Sequence, residues 1–158
     1  MQLTQAFTEA KKQILANLVQ EQNDRLVEYA KQIISLAVQT KTFGNRTLNL
    51  VDSYVWALWY NNKLIDSGFY TPNAQATKKT KMFNGEKVDG RKLANKFIKK
   101  FKHNNTGWHL VIAATAPYGT YLENARPTGT KFFVLSQVYD TVKSDLEGAF
   151  VEFKIDIE

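Results

Sequence analysis

Cysteine is absent from the chain, and among its 158 residues proline occurs three times and glycine eight. The missing thiols exclude zinc ribbons, thiol catalysis and redox switching. So little proline and glycine excludes collagen-like or linker character. No apolar run approaches the roughly 20 residues of a membrane span. The N-terminus lacks a basic start followed by an apolar core, so no signal peptide is expected. Histidine occurs twice, as His103 and His109. Neither has the spacing of a zinc site, and no glycine loop that could cradle a phosphate is present. A nucleophile, a base and an orienting group in one pattern are also missing, so no catalytic residues and no cofactor are expected.

What is present is 44% hydrophobic and 13% aromatic residues, which argues against wholesale disorder. One domain of this length buries roughly 70% of its unfolded surface without disulfides. The net charge of +6 is concentrated. Residues 78–102 hold ten basic side chains, namely Lys78, Lys79, Lys81, Lys87, Arg91, Lys92, Lys96, Lys99, Lys100 and Lys102. Only Glu86 and Asp89 oppose them, so the segment carries +8, and the rest carries −2, from eleven basic and thirteen acidic groups. Such a segment attracts a polyanion or an acidic protein face, or is simply a solvated helix face with a loop.

Residues 3–39 lack Gly and Pro and favour helix. Their apolar stripe changes face midway. Leu3, Phe7, Ile14 and Leu18 form one stripe, and Leu26, Ala30, Ile33 and Ala37 form another, rotated by about 100°. The polar stretch Glu21–Asp24 separates them. Either the helix breaks there, with Asn23 or Asp24 as a cap, or one helix of about 55 Å touches two surfaces. The division expected is a helical arm over 1–22 and a domain over 23–158.

Residues 53–60 read as a strand, Asn61-Asn62 as a two-residue turn and Lys63–Phe69 as a second strand. Residues 71–89 lack periodicity and predict an inserted lysine-rich loop. Residues 90–102 predict an amphipathic helix, with Leu93, Ala94, Phe97, Ile98 and Phe101 inward and Lys92, Lys96, Lys99 and Lys100 outward. His109–Ala114 is the candidate central strand. A helix is expected over 131–147, and Ala149–Glu158 alternates as a half-buried strand. The fold class is α+β: a small antiparallel sheet packed by helices, with a long N-terminal helix or helical arm.

Two stretches carry a resemblance. The first is Arg46-Thr47-Leu48-Asn49-Leu50-Val51-Asp52-Ser53-Tyr54. The second is Ala116-Pro117-Tyr118-Gly119-Thr120-Tyr121-Leu122-Glu123-Asn124, followed by Lys131-Phe132-Phe133-Val134-Leu135. Together they resemble the head–tail joining, or tail-completion, proteins of tailed bacteriophages, in order and approximate spacing over residues 24–148. Leu48, Asn124 and Lys131 stand where that family has Gly, Gly and Pro. The resemblance implies a virion structural protein without catalysis, made in the host cytoplasm. Copies form a ring in the neck or upper tail, between portal or connector proteins and tail proteins, around the DNA channel and away from any membrane. It implies subunit contacts at Arg46, Asn49, Leu50, Tyr118, Tyr121, Glu123, Phe132 and Phe133. The tyrosines and Glu123 also suit plain core closure at a strand end. The basic segment then meets genomic DNA non-specifically, or docks on an acidic ring above or below. The rival reading is a stand-alone basic nucleic-acid-binding module.

Overall fold

The computed structural model describes residues 2–39, 51–70, 82–83, 86–87, 89–101, 106–116 and 134–147. Helix α1 runs without interruption from Gln2 to Gln39. The polar stretch does not break it, and neither Asn23 nor Asp24 is a cap. Its side chains hold the helix to itself: Gln20 donates to Asp24 at 2.8 Å, and Arg25 pairs with Glu21 at 2.6 Å. Both are i, i+4 pairs, which support a helix by a few tenths of a kcal/mol each.

A 3-10 turn, Val51–Ser53, leads into β1, Tyr54–Tyr60. Asn61 and Asn62 have φ of 46° and 65°, the backbone that a two-residue hairpin turn requires. Strand β2 is Lys63–Phe69. Strands β3, Met82–Phe83, and β4, Glu86–Lys87, pair as a small hairpin inside the segment expected to be loop. Helix α2 is Gly90–Lys100, and the Asp89 side chain caps it by accepting from the Lys92 amide at 3.1 Å. Strand β5 is Trp108–Ala114 and helix α3 is Val134–Asp145.

The main sheet has the order β2-β1-β5, antiparallel throughout. The expectation that His109–Ala114 is central is therefore corrected: β1 is central. The reason is legible in β1 itself, where Tyr54 to Trp59 are all buried and apolar side chains point to both faces. Strand β5 is half-buried along most of its length.

Helices cover the two faces. Ala30, Ile33, Ile34, Ala37 and Val38 of α1 pack with Tyr54, Trp56 and α3's Val138. Leu110, Ile112 and Ala114 of β5 complete that side. The opposite face holds Trp59, whose ring lies 5.0 Å from Phe101 at the end of α2. The layers are thus α2, sheet, and α1 with α3.

Gly68 sits opposite Trp56 in the β1–β2 ladder. A Cβ added there would lie 2.7 Å from the Trp56 indole nitrogen, so the bare backbone is what lets the indole lie flat on β2.

Candidate interaction surfaces

The apolar side chains in the first half of α1 have no partner within the chain's described residues. Leu3 is 86% exposed, Phe7 72%, Ile14 59% and Leu18 56%. The helix geometry explains why. At 100° per residue, this stripe is centred about 150° around the axis from the buried set Ala30–Val38. It therefore points away from the sheet that the second half covers. The arm cannot fold back onto its own core without breaking the helix. A contiguous exposed apolar stripe is a candidate contact surface.

The arm joins the body at Asn23. This residue is buried, and its Oδ1 accepts from the Trp108 indole N–H at 2.7 Å. Trp108 also stacks on Tyr60, with centroids 4.6 Å apart. A helical asparagine is thus a fixed bond between α1 and the first residue of β5. Its place amid polar neighbours hid this from the sequence. Replacing Asn23 by Ala removes the buried acceptor and leaves the indole N–H of the partly exposed Trp108 to water. We expect a loss of about 0.5–1.5 kcal/mol in urea unfolding, with helix content unchanged in circular dichroism.

Six residues further on, the Tyr29 hydroxyl donates to Asp145 Oδ2 of α3 at 3.0 Å. Burial first, then this hydrogen bond and the Asp145 charge, push the phenol up to about 12 from 10. The folded protein therefore keeps a proton that the unfolded chain loses. Stability from this group is complete below the unfolded value and is lost as pH rises through the folded one. Tyr29→Phe lacks it. The gap in urea midpoint between wild type and variant, present at pH 9, is expected to close by about pH 12.

The basic surface is partly as expected. Lys92, Lys96, Lys99 and Lys100 are exposed on the side of α2 away from the sheet. None of them pairs with an acidic side chain among the described residues. Phe97 and Phe101 are inward, their rings 5.4 Å apart. Arg91 differs from the lysines. Its guanidinium lies 4.3 Å from the centre of the Phe69 ring, 3.8 Å from Asp52 Oδ1 and 3.5 Å from the Tyr70 carbonyl. It fastens α2 to β2 and the 3-10 turn. Burial raises the Asp52 carboxyl above its usual range, Arg91 opposes this, and Asp89 adds to it. The wheel of α2 carried the signal: Arg91 falls about 20° from Ile98, on the edge of the apolar face.

Lys87 lies in β4. Lys78, Lys79, Lys81 and Lys102 lie outside the described residues, as do all eight expected subunit-contact residues: Arg46, Asn49, Leu50, Tyr118, Tyr121, Glu123, Phe132 and Phe133. The terminal strand expected over 149–158 also lies outside them. The described ends of the two motif stretches do meet. The Ser53 carbonyl accepts from both the Thr115 amide and its hydroxyl, each at 3.1 Å, and Ala116 packs in the core with Tyr54.

Among the described residues, no group of three or more His, Asp or Glu side chains could hold a metal ion. No helix among them is long and apolar enough to cross a membrane. No protein-family model matches the chain, and neither a curated protein nor a solved structure shows significant similarity to it.

Proposed function

We propose that this chain is an assembly subunit of a tailed-bacteriophage virion, forming a ring in the neck or upper tail. The ring joins the head to the tail and surrounds the DNA channel. The observation that carries the assembly reading is the apolar stripe of α1, aimed away from its own core. Burying such side chains contributes roughly 25 cal/mol per Å², and only a second surface can collect it. The shared core cluster of Tyr54 and Ala116 supports the likeness to tail-completion proteins, because it brings the described ends of the two motif stretches together from distant parts of the chain. Joining and sealing need shape and fixed contacts rather than chemistry, and the two helices crossing opposite faces of a fully buried strand supply a stiff unit.

The test is to locate the labelled protein in intact particles by electron microscopy. A ring at the portal–tail junction is expected. Its absence from particles that assemble and package normally would overturn the virion assignment.

The four outward lysines of α2 favour a second reading, a stand-alone nucleic-acid-binding module. Sub-micromolar binding of duplex DNA by the monomer at physiological salt would support it, since non-specific binding is typically about 10⁻⁴–10⁻⁶ M. Weaker binding counts against it.

A further inference from the structure

The two sides of the molecule carry opposite charge. On one side of the sheet, α2 presents Lys92, Lys96, Lys99 and Lys100 to solvent, with no acidic residue in the helix. On the other side lie the outer surfaces of α1 and α3. Among the described residues, the exposed acids of α1, α3 and the turn after α3 are Glu9, Glu21, Asp24, Glu28, Asp140, Asp145 and Glu147. The exposed bases there are Lys11, Lys12, Arg25, Lys31 and Lys143, leaving that side at −2. Arg25 and Lys31 are already paired, with Glu21 and Glu28. Asp24, Arg25 and Glu28 line an open depression with Tyr29 and Gln32.

The same side of α1 continues into the arm. By helical angle, Glu21, Asp24 and Glu28 lie within about 100° of the Leu3, Phe7, Ile14 and Leu18 stripe. A molecule resting on the acidic outer face of α1 thus also meets the apolar arm. The α2 side offers a matching feature. Leu64 is 42% exposed and stands opposite Trp59 in the ladder, on the face that α2 covers.

We infer that the α2 face of one copy docks on the outer α1/α3 face, and on the arm, of the next copy. The inference rests on the assembly reading and names its contact. The two surfaces are different patches on opposite layers, so the contact is head to tail. Such a contact closes into a ring when its rotation closes, and otherwise grows a filament. Exposed ion pairs individually contribute little, so the charges set orientation and register while the apolar arm supplies burial.

The test uses full-length chains in sedimentation velocity at about 50 mM salt, where the Debye length is longer than at physiological strength. One variant carries Lys96→Glu, Lys99→Glu and Lys100→Glu. A second carries Glu21→Lys, Asp24→Lys and Glu28→Lys. All six positions are exposed helix sites, and circular dichroism checks each fold. Each variant alone now faces like charge with like charge, so each is expected to be about tenfold or more weaker in self-association. An equimolar mixture regains association, because acidic α2 faces meet basic α1 faces and the reverse. If both variants assemble as the wild type does, this contact is wrong while the assembly reading stands. If the wild type is a monomer at every concentration and salt, both fall. If the lysine variant loses binding to a 20-base-pair duplex yet assembles normally, α2 faces nucleic acid and the inference is overturned. Salt gives a measurement independent of any variant: raising it to about 500 mM is expected to weaken wild-type association about tenfold or more. No change with salt contradicts the inference.

Discussion

Removing residues 1–20 is expected to leave a folded monomer and to abolish assembly. Every described side chain from Leu3 to Leu18 is exposed, and the core uses α1 only from its second half, with Val27 the first residue packed against it. The Asn23 bond to Trp108 survives the cut. The new helix start also carries Glu21 and Asp24 in its first turn, where acidic groups favour the helix dipole by about 0.3–1 kcal/mol. A cooperative melt of the truncated chain, at or below that of the assembled intact chain, together with a monomer mass by light scattering, is the expected result. Loss of the fold itself would show that the arm belongs to the core. An unchanged assembly size would show that the apolar stripe is not the contact.

The largest effect on stability is expected at Trp56. It is 3% exposed, stands in the central strand and packs against the α1 cluster. Trp56→Ala should cost about 3–5 kcal/mol, measured by urea unfolding at one fixed protein concentration. Gly68→Ala acts on the same contact from the other side. It forces a methyl to within 2.7–2.8 Å of the indole, where something must shift, and should cost about 1–3 kcal/mol. The pair gives a sharper check than either alone. With the indole gone, the added methyl meets empty space, so the double variant should be more stable than the sum of the two losses by on the order of 1–3 kcal/mol. Strict additivity would mean that Gly68 is not shaped by Trp56.

Much of the fold was legible in the chain, and particular residues show why. Asn61-Asn62 announced the hairpin because few other residues accept two successive positive φ angles. The inward and outward faces of α2 followed from its period, and so did the change of face in α1. The centre of the sheet did not. Tyr54–Trp59 and His109–Ala114 are both apolar runs, and which lies in the middle depends on where α1, α2 and α3 land. The pairing of Met82–Phe83 with Glu86–Lys87 was also hidden, because two-residue strands have no periodicity to read. At the candidate surfaces, the sequence placed the four lysines correctly and grouped Arg91 with them. Arg91 instead serves the fold, because Phe69, Tyr70 and Asp52 reach it from elements distant in the chain. The Asn23–Trp108 bond, 85 residues apart, left no local trace.

The +6 of the whole chain is thus not one property. Four lysines on one layer face outward, while the opposite layer is acidic, and an apolar arm extends the acidic side. The proposed assembly reading uses these surfaces together. Sedimentation velocity of the intact chain at low salt over a range of micromolar concentrations tests that account most directly. It predicts one discrete species at a fixed multiple of the 18.1 kDa monomer, dissociating as salt rises. A single monomeric boundary under every condition would contradict it.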